Sequence, residues 1–269
     1  MEIRLLGPFV VTSHGQDHVL RRALRTTLLA CLLLRPGQHV AADDLTEEMW
    51  GDTDRDRGRN GLHAHIMRLR RDLQRWDDGA GPYIESRYPG YTLHLGEADV
   101  DVQRFRRLYA AFECERHVDK FAAIRTGRAG LGLWRGRALA GHDGGPLSLQ
   151  CRTRLEAERL SLLLATIDLT LEVGWHELVL SELYELSSTY PLEERFYHQL
   201  MTALYRAGRP AAAIQAYDRA RTELRTRLGT SPSPALEARF LAILRHDPLL
   251  AAPPGQPGLL LRQAGEAWS

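Results

Sequence analysis

Residues 57–76 read RGRNGLHAHIMRLRRDLQRW, and this stretch decides the fold. Its large apolar residues recur at intervals of three and four positions: Leu62, Ile66, Leu69 and Leu73. At about 100° per residue, these side chains fall within about 60° of one another around a helix axis. The spacing therefore predicts a long α-helix that buries one apolar stripe and leaves the opposite face to solvent.

The face opposite this stripe is strongly basic. Residues 55–75 hold seven arginines and two aspartates, a local charge of +5, whereas the whole chain carries +1. A helix about 10–12 Å wide fits the major groove of DNA, where arginine can bind guanine through two hydrogen bonds and asparagine suits adenine. Small or apolar side chains can contact the thymine methyl group. The residues of this helix that are candidates to face DNA are Arg57, Asn60, His63, Ala64, Met67, Arg68, Arg70 and Arg71.

A basic helix face alone is more often simply solvated, so the next segment matters. Residues 83–87 and 91–95 are predicted as two strands joined by Tyr88-Pro89-Gly90, a pattern typical of a β-hairpin. Arg87 lies at its tip. A basic hairpin tip can enter the narrow minor groove, where the electrostatic potential is most negative. The helix and the hairpin together predict a DNA-binding surface.

The segments before this helix complete a small α+β domain. Residues 2–11 are predicted as a strand that Gly7-Pro8 interrupts, which indicates an edge strand or a bend. A turn at 13–16 and a possible return strand at 18–20 follow, and then a buried helix at 24–34 that contains Cys31. An extended piece at 39–40 leads into a helix to Trp50 that Asp43 or Asp44 can cap. Strands, three helices and a hairpin in this order are typical of a winged helix-turn-helix domain.

Everything after residue 101 is predicted helical. The expected helices cover residues 102–114, 118–134, 147–173, 176–189, 193–207, 210–228 and 234–245. Residues 171–175 align with residues 205–209 at an offset of 34 positions, the spacing of tetratricopeptide repeats. The aromatic residues expected in the core between these helices are Trp134, Trp175, Tyr184, Tyr205 and Tyr217.

The predicted fold class is therefore mainly α. A winged helix-turn-helix (α+β) domain is expected at residues 1–98, an all-α tetratricopeptide-like domain at 99–250, and a flexible tail at 251–269.

Composition and motifs argue against most other classes of protein. The three cysteines form no CxxC pair, and His63 and His65 diverge by about 200° on a helix, so no metal site is expected. The glycine-rich residues 141–145 lack the lysine and hydroxyl of a phosphate-binding loop. No catalytic motif is evident, so we expect neither an enzyme nor a cofactor. Because no signal peptide or long apolar run is present, we expect a cytoplasmic protein with no membrane partner.

Several motifs resemble known families. His65–Leu73, followed by Pro89-Gly90-Tyr91, resembles the DNA-binding domain of OmpR/PhoB-type response regulators. Residues 133–136, 190–195 and 204–209 resemble a helical bacterial transcriptional activation domain. Up to about residue 247, the chain is similar to the Streptomyces antibiotic regulatory protein family, whose members activate antibiotic clusters.

The resemblance implies roles at matching positions. Arg68 would read a base, with Asn60, His63 and Ala64 at or near base edges. His65 and Arg70 would hold phosphates, Arg87 would enter the minor groove, and basic residues before the first buried helix would add to the surface. That last stretch contains Arg21, Arg22 and Arg25. Helical geometry agrees for Asn60, Ala64 and Arg68, but it places His65 nearer the core, where a packing role is an equal alternative. Met67 stands where relatives often carry a polar or basic residue.

The resemblance also implies a function. We expect a transcriptional activator, nucleoid-associated, of which two copies bind direct repeats near a promoter and recruit RNA polymerase, through its sigma subunit. The alternatives are a repressor of the same fold, and a tetratricopeptide-type scaffold that binds proteins.

Overall fold

A computed structural model describes residues 1–18, 23–51, 55–77, 79–141 and 144–251, without the side chains of residues 23, 55–57, 59 and 60. The chain forms two compact units. The first comprises Met1–Ala110 and Ala129–Leu160, and the second comprises Ala111–Arg128 and the chain from Ser161 on. The predicted boundary near residue 98 therefore lies within the first unit, and as a functional boundary it stays a prediction. The predicted tail lies, after Ala251, outside the described residues.

The first sheet has four strands in the order β3-β2-β1-β7. These are β1 (Glu2–Arg4), β2 (Val10–Ser13), β3 (Gln16–His18) and β7 (Asp99–Val100). Residues 2–11 do not form one strand. The chain bends at Gly7, as Gly7-Pro8 indicated, and the two ends form separate strands that pair antiparallel with each other. Between them, the Leu5 and Leu6 N–H groups donate to the Asp101 carboxylate at 2.8–2.9 Å instead of to a neighbouring strand.

The helix-turn-helix region follows in the predicted order. It contains α1 (Ala23–Leu34), β4 (His39–Ala41), α2 (Ala42–Trp50), α3 (Arg55–Trp76), β5 (Tyr83–Arg87) and β6 (Gly90–His94). The three strands form a second sheet in the order β4-β6-β5. Its core includes Leu28, Leu32, Leu45, Ile66, Leu69 and Leu93, all fully buried, and Cys31 is buried as predicted.

The predicted caps of α2 are wrong. Ala41 occupies the N-cap without a side-chain hydrogen bond, and Asp43 and Asp44 lie inside the first turn. There their negative charge still favours the positive end of the helix dipole.

The remaining helices match the expected segments within a few residues. They are α4 (Asp101–Glu115), α5 (Lys120–Gly132), α6 (Pro146–Glu172), α7 (Leu180–Thr189), α8 (Glu194–Arg206), α9 (Pro210–Leu228) and α10 (Pro234–Leu244), with 3-10 turns at His176–Val179 and Pro248–Leu250. None of the described helices is long and apolar enough to cross a membrane.

The aromatic residues predicted for the core divide into three groups. Trp134, Trp175 and Tyr217 are buried as expected, and Tyr205 is half-buried. For Tyr184 the prediction is wrong, because 37% of this residue is exposed on α7. The buried residues of α7 are instead Leu183 and Ser187, four positions apart on one face, whereas Tyr184 lies about 100° from Leu183 around the axis.

Glu48 of α2 caps the start of α6 within the first unit. Its carboxylate, 5% exposed as a residue, accepts hydrogen bonds from the N–H groups of Leu147 at 2.8 Å and Ser148 at 3.2 Å. Gly145 permits this approach, because a Cβ there would lie 2.8 Å from the Glu48 backbone oxygen. This glycine therefore serves close packing.

Candidate nucleic-acid interface

Helix α3 buries one face and exposes the other, as its spacing predicts. Leu62, Ile66, Leu69 and Leu73 are each at most 2% exposed. Because this stripe faces the core, the side chains about 180° away around the helix axis point to solvent. Its described residues are His63, Met67, Arg68 and Arg71, all exposed, and Ala64, which is half-buried.

The exposed cations of this surface have no acidic partner among the described residues. Arg68 and Arg71 of α3 and Arg87 of the hairpin are exposed, and none of them forms an ion pair there. An arginine keeps its charge at any physiological pH and presents planar donors that match phosphates and guanine edges. The surface therefore presents cationic hydrogen-bond donors directly to solvent.

The hairpin beside α3 has a defined register and a fixed tip. β5 pairs antiparallel with β6, and Arg87 stands opposite Gly90. The tip consists of Tyr88 and Pro89, joined by a cis peptide bond. It is anchored because the Ala42 N–H donates to the Pro89 carbonyl oxygen at 2.9 Å.

Gly90 is required at the base of this tip. A Cβ at this position would lie 2.0 Å from the carbonyl oxygen of Val40 on β4, which is closer than any real contact. The glycine thus lets β6 of the hairpin lie close to β4, and the placement of Arg87 depends on it.

Arg70 joins α3 to the hairpin. Its Nε donates to the Ile84 carbonyl oxygen at 2.9 Å, and its Nη2 donates to Ser86 Oγ at 2.8 Å. Both acceptors lie on β5, so one guanidinium fixes the hairpin relative to the helix. The phosphate role expected for Arg70 stays a prediction, and the structure adds this bracing role, which the sequence did not indicate.

Two other residues expected at DNA have partners inside the protein. Arg25 of α1 forms an ion pair with Asp72 of α3, and both side chains are less than one-fifth exposed. The His65 ring packs edge-on against Trp50, with ring centroids 5.8 Å apart. The packing alternative for His65 is therefore present in the structure, whereas DNA contacts by either residue stay predictions.

Three expected DNA contacts cannot be placed. Arg22 lies outside the described residues, and so do the side chains of Arg57 and Asn60, although the backbone of the latter two belongs to α3. Gly58 and Gly61 in this part of α3 are packed against α2. A Cβ on Gly58 would meet Thr46 Cγ2 at 2.3 Å, so small residues here let the two helices approach each other.

An open cleft of about 460 Å³ lies between α3 and the hairpin. Its lining includes Leu62, His63, Ser86, Tyr88, Pro89 and Tyr91. Apart from His63, none of these residues was expected to act at the surface, since the sequence argument followed charge. The signal that could have found Tyr88 is its position next to Arg87 at the centre of the turn.

Two families of domains match the chain. The family described as "Bacterial transcriptional activator domain" matches residues 100–244, and the family described as "Transcriptional regulatory protein, C terminal" matches residues 17–93. The first of these covers more than half of the chain. The second includes α1, α2, α3 and the hairpin, and thus the entire surface described above.

Similar proteins extend over nearly the whole chain. The transcriptional regulator RedD of Streptomyces coelicolor is 35% identical over 94% of this chain and 73% of its own length. The regulatory protein DnrI of Streptomyces peucetius is 32% identical over 92% of this chain and 93% of its own length.

A solved structure is similar as well. Mycobacterium tuberculosis EmbR, in complex with a low-affinity phosphopeptide, matches with a TM-score of 0.84 and 26% identity over 98% of this chain and 69% of that one. Its winged-helix and helical parts have the architecture expected here. The chain therefore belongs to the Streptomyces antibiotic regulatory protein family of transcriptional activators, a family of regulators and not of enzymes.

Proposed function

We propose that two copies of this protein bind direct repeats near a promoter, in the cytoplasm on the nucleoid, and recruit RNA polymerase through its sigma subunit to transcribe an antibiotic cluster. The observation that carries the DNA-binding step is the exposed cationic face of α3, fixed beside a hairpin with Arg87 at its tip. The relatives RedD and DnrI are named as regulators and support a role in transcription.

In this proposal the two parts of the surface have different tasks. Helix α3 lies in the major groove, where Arg68 reads a guanine edge and Met67 and Ala64 approach thymine methyl groups. Asn60 and His63 lie at or near base edges, and Arg57 and Arg71 reach phosphates or bases along the same face. Arg87 enters the adjacent minor groove, where a narrow groove concentrates negative potential. Phosphate contacts supply most of the affinity, and base contacts select the site.

The proposal is tested with purified full-length protein. A duplex library with a randomised core is selected on the protein at modest ionic strength, and the enriched sequence is footprinted. We expect a direct repeat, with protection in the major groove and in the flanking minor groove. Enrichment of a single site, or of none, would contradict the arrangement.

Activation is separated from repression by transcription in vitro on the selected promoter with the cognate polymerase. An activator raises the yield of transcript, whereas a repressor that binds the same site lowers it. The full chain is needed, because deletion of residues 102–269 would remove Ala129–Leu160 and so part of the first compact unit.

A further inference from the structure

Tyr88 is the most exposed of the large hydrophobic residues described in the helix-turn-helix region. It is 98% accessible and lies between Arg87 and Pro89 at the centre of the hairpin turn. Aromatic side chains offer a large apolar area together with a polar end, so their complete exposure forgoes a sizeable gain from burial. The position therefore calls for a binding partner that covers the ring.

The backbone that carries Tyr88 is held at several points. Pro89 accepts the hydrogen bond from the Ala42 N–H, Gly90 packs against Val40, and Ser86 is bound by Arg70. Only the tyrosine side chain itself remains to be ordered when a partner binds. Preorganisation of this kind lowers the entropic cost of association.

The chemistry of the tip favours the minor groove of DNA as the partner. Arg87 places one cation beside the ring, and Pro89 adds a second apolar surface without an N–H group. Minor-groove proteins commonly insert apolar side chains between base steps or against the groove, with basic residues next to them. A neutral ring suits the sugar and base surfaces there, whereas a charged side chain suits the phosphates.

We propose that Tyr88 packs its ring against the minor groove beside Arg87, and that it contributes a part of the affinity that does not depend on salt. This inference rests on the proposed function, because it assumes that the hairpin binds DNA. Arg87 releases counterions when it approaches phosphates, so its contribution falls as salt rises. A tyrosine releases no counterions, so the contributions of Tyr88 and Arg87 to affinity should differ in their dependence on salt.

Tyr83 provides a matched control at the opposite end of the same strand. It is 57% exposed, but its ring stacks on His94 with centroids 4.7 Å apart, and it lies five positions from the tip residue Tyr88. Removal of this ring changes exposed aromatic surface on β5 without touching the tip. It therefore tests whether any exposed tyrosine of the hairpin has the same effect.

The experiment measures the dissociation constant over a series of salt concentrations for the full-length protein and for Tyr88→Ala, Tyr88→Phe, Arg87→Ala and Tyr83→Ala. The duplex is the one that the wild-type protein enriches from a random library. For Tyr88→Ala we expect affinity to fall about fivefold or more at every salt concentration, with an unchanged slope. For Arg87→Ala we expect the slope of log K against log salt to flatten by about 0.9. Tyr88→Phe and Tyr83→Ala should both match the wild type.

Three results would overturn the inference. They are binding by Tyr88→Ala within twofold of the wild type, a flattened salt slope in that variant, and an equal loss in Tyr88→Phe, which would assign the contact to the hydroxyl group. If Tyr88→Ala binds DNA normally but fails to activate transcription, the ring contacts a protein and the inference is also wrong. Failure of the wild-type protein to enrich any duplex would instead refute the proposed function.

Discussion

Three arginines of α3 and the hairpin differ from two arginines of the second unit in what they contact. Arg68, Arg71 and Arg87 are exposed and have no acidic partner among the described residues. In the second unit, Arg128 holds both carboxylate oxygens of Glu182 at 2.7 and 2.8 Å, and Arg195 binds Asp168 at 2.8 Å. The same side chain is left to solvent in one region and joins two helices in the other.

This difference matters because the chain is rich in arginine throughout. Lys120 is the one lysine among 35 basic residues, so 34 are arginine. Neither the composition nor the net charge of +1 indicates which of them bind DNA. Pairing narrows the choice, since an arginine that already binds a carboxylate must give up that partner before it can bind a phosphate.

The largest expected effect concerns a paired arginine. Arg128→Ala should lower the free energy of unfolding by about 2–4 kcal/mol, because it leaves the Glu182 carboxylate, 27% exposed, without its bidentate partner. Affinity for DNA, measured where the variant is fully folded, should stay unchanged. The control is Arg227→Ala, whose pair with Glu223 is exposed and should be worth about 0.5 kcal/mol. Equal losses of stability in the two variants would contradict the expectation that a part-buried pair stabilises the fold more than an exposed pair does.

The reverse behaviour is expected for an unpaired arginine. Arg68→Ala should weaken binding to the selected site by about 1–3 kcal/mol and relax the preference at one base pair, because the bidentate contact to guanine is lost. Its free energy of unfolding should match the wild type. Fluorescence anisotropy on the selected duplex and on single-base variants measures both the affinity and the base preference. The control is exposed Gln74 of α3 changed to alanine. A loss below twofold would remove Arg68 from the base-reading set.

A smaller effect involves an arginine paired with a neutral group. Arg239 Nε lies 2.9 Å from His198 Nε2, and burial, followed by the charge of Arg239, lowers the pKa of His198 to about 4. The folded protein therefore resists protonation of His198 more than the unfolded chain does. As a result, the free energy of unfolding is highest above pH 6.5 as far as His198 is concerned, and it decreases as the pH falls from 6.5 toward 4. Between pH 7 and 5.5 the loss should be about 1 kcal/mol.

Denaturant titrations at the two pH values test this expectation against His198→Gln. The variant has no group that titrates in this range at position 198, so its stability should change less with pH than that of the wild type. The same pH dependence in both proteins would assign the acid sensitivity to other residues.

The smallest expected effect on DNA binding comes from a paired arginine that lies near the candidate surface. Arg25 lies near the candidate surface but is paired with Asp72. If pairing decides the role, Arg25→Ala leaves the salt dependence of DNA binding unchanged. Its cost in stability should be about 2–4 kcal/mol, as for Arg128→Ala, because the Asp72 carboxylate is only 17% exposed. A slope that flattens by about 0.9, as for the loss of one phosphate contact, would show that Arg25 gives up Asp72 to bind DNA.

The sequence predicts best what depends on local periodicity. The buried stripe of α3 and the exposure of Arg68 follow from spacing alone, and so do the bounds of most helices. Contacts between residues distant in the chain were not predictable in this way. Arg70 reaches β5, 14 and 16 positions away, and the carboxylate of Glu48 reaches α6 about 100 positions away.

The errors have the same physical origin. Asp43 and Asp44 have the side chains of a helix cap, but α2, whose Ala42 N–H donates to Pro89, starts two or three residues earlier than that role requires. The first strand was predicted to run on past Gly7-Pro8 because apolar residues alternate on both sides, whereas Asp101, almost a hundred residues later, accepts the N–H groups that would have extended it. In both cases a tertiary partner outweighs the local pattern.

The cap that Glu48 supplies to α6 bears on how such regulators could be recombined. An exchange of target specificity between relatives would naturally be cut near residue 98, between the two matched families. A graft made there would join α2 to a foreign α6, and any mismatch at position 48 or at Gly145 would leave the first N–H groups of a 27-residue helix without acceptors. Chimeras that also carry Ala129–Leu160 from the donor would keep both halves of that contact together.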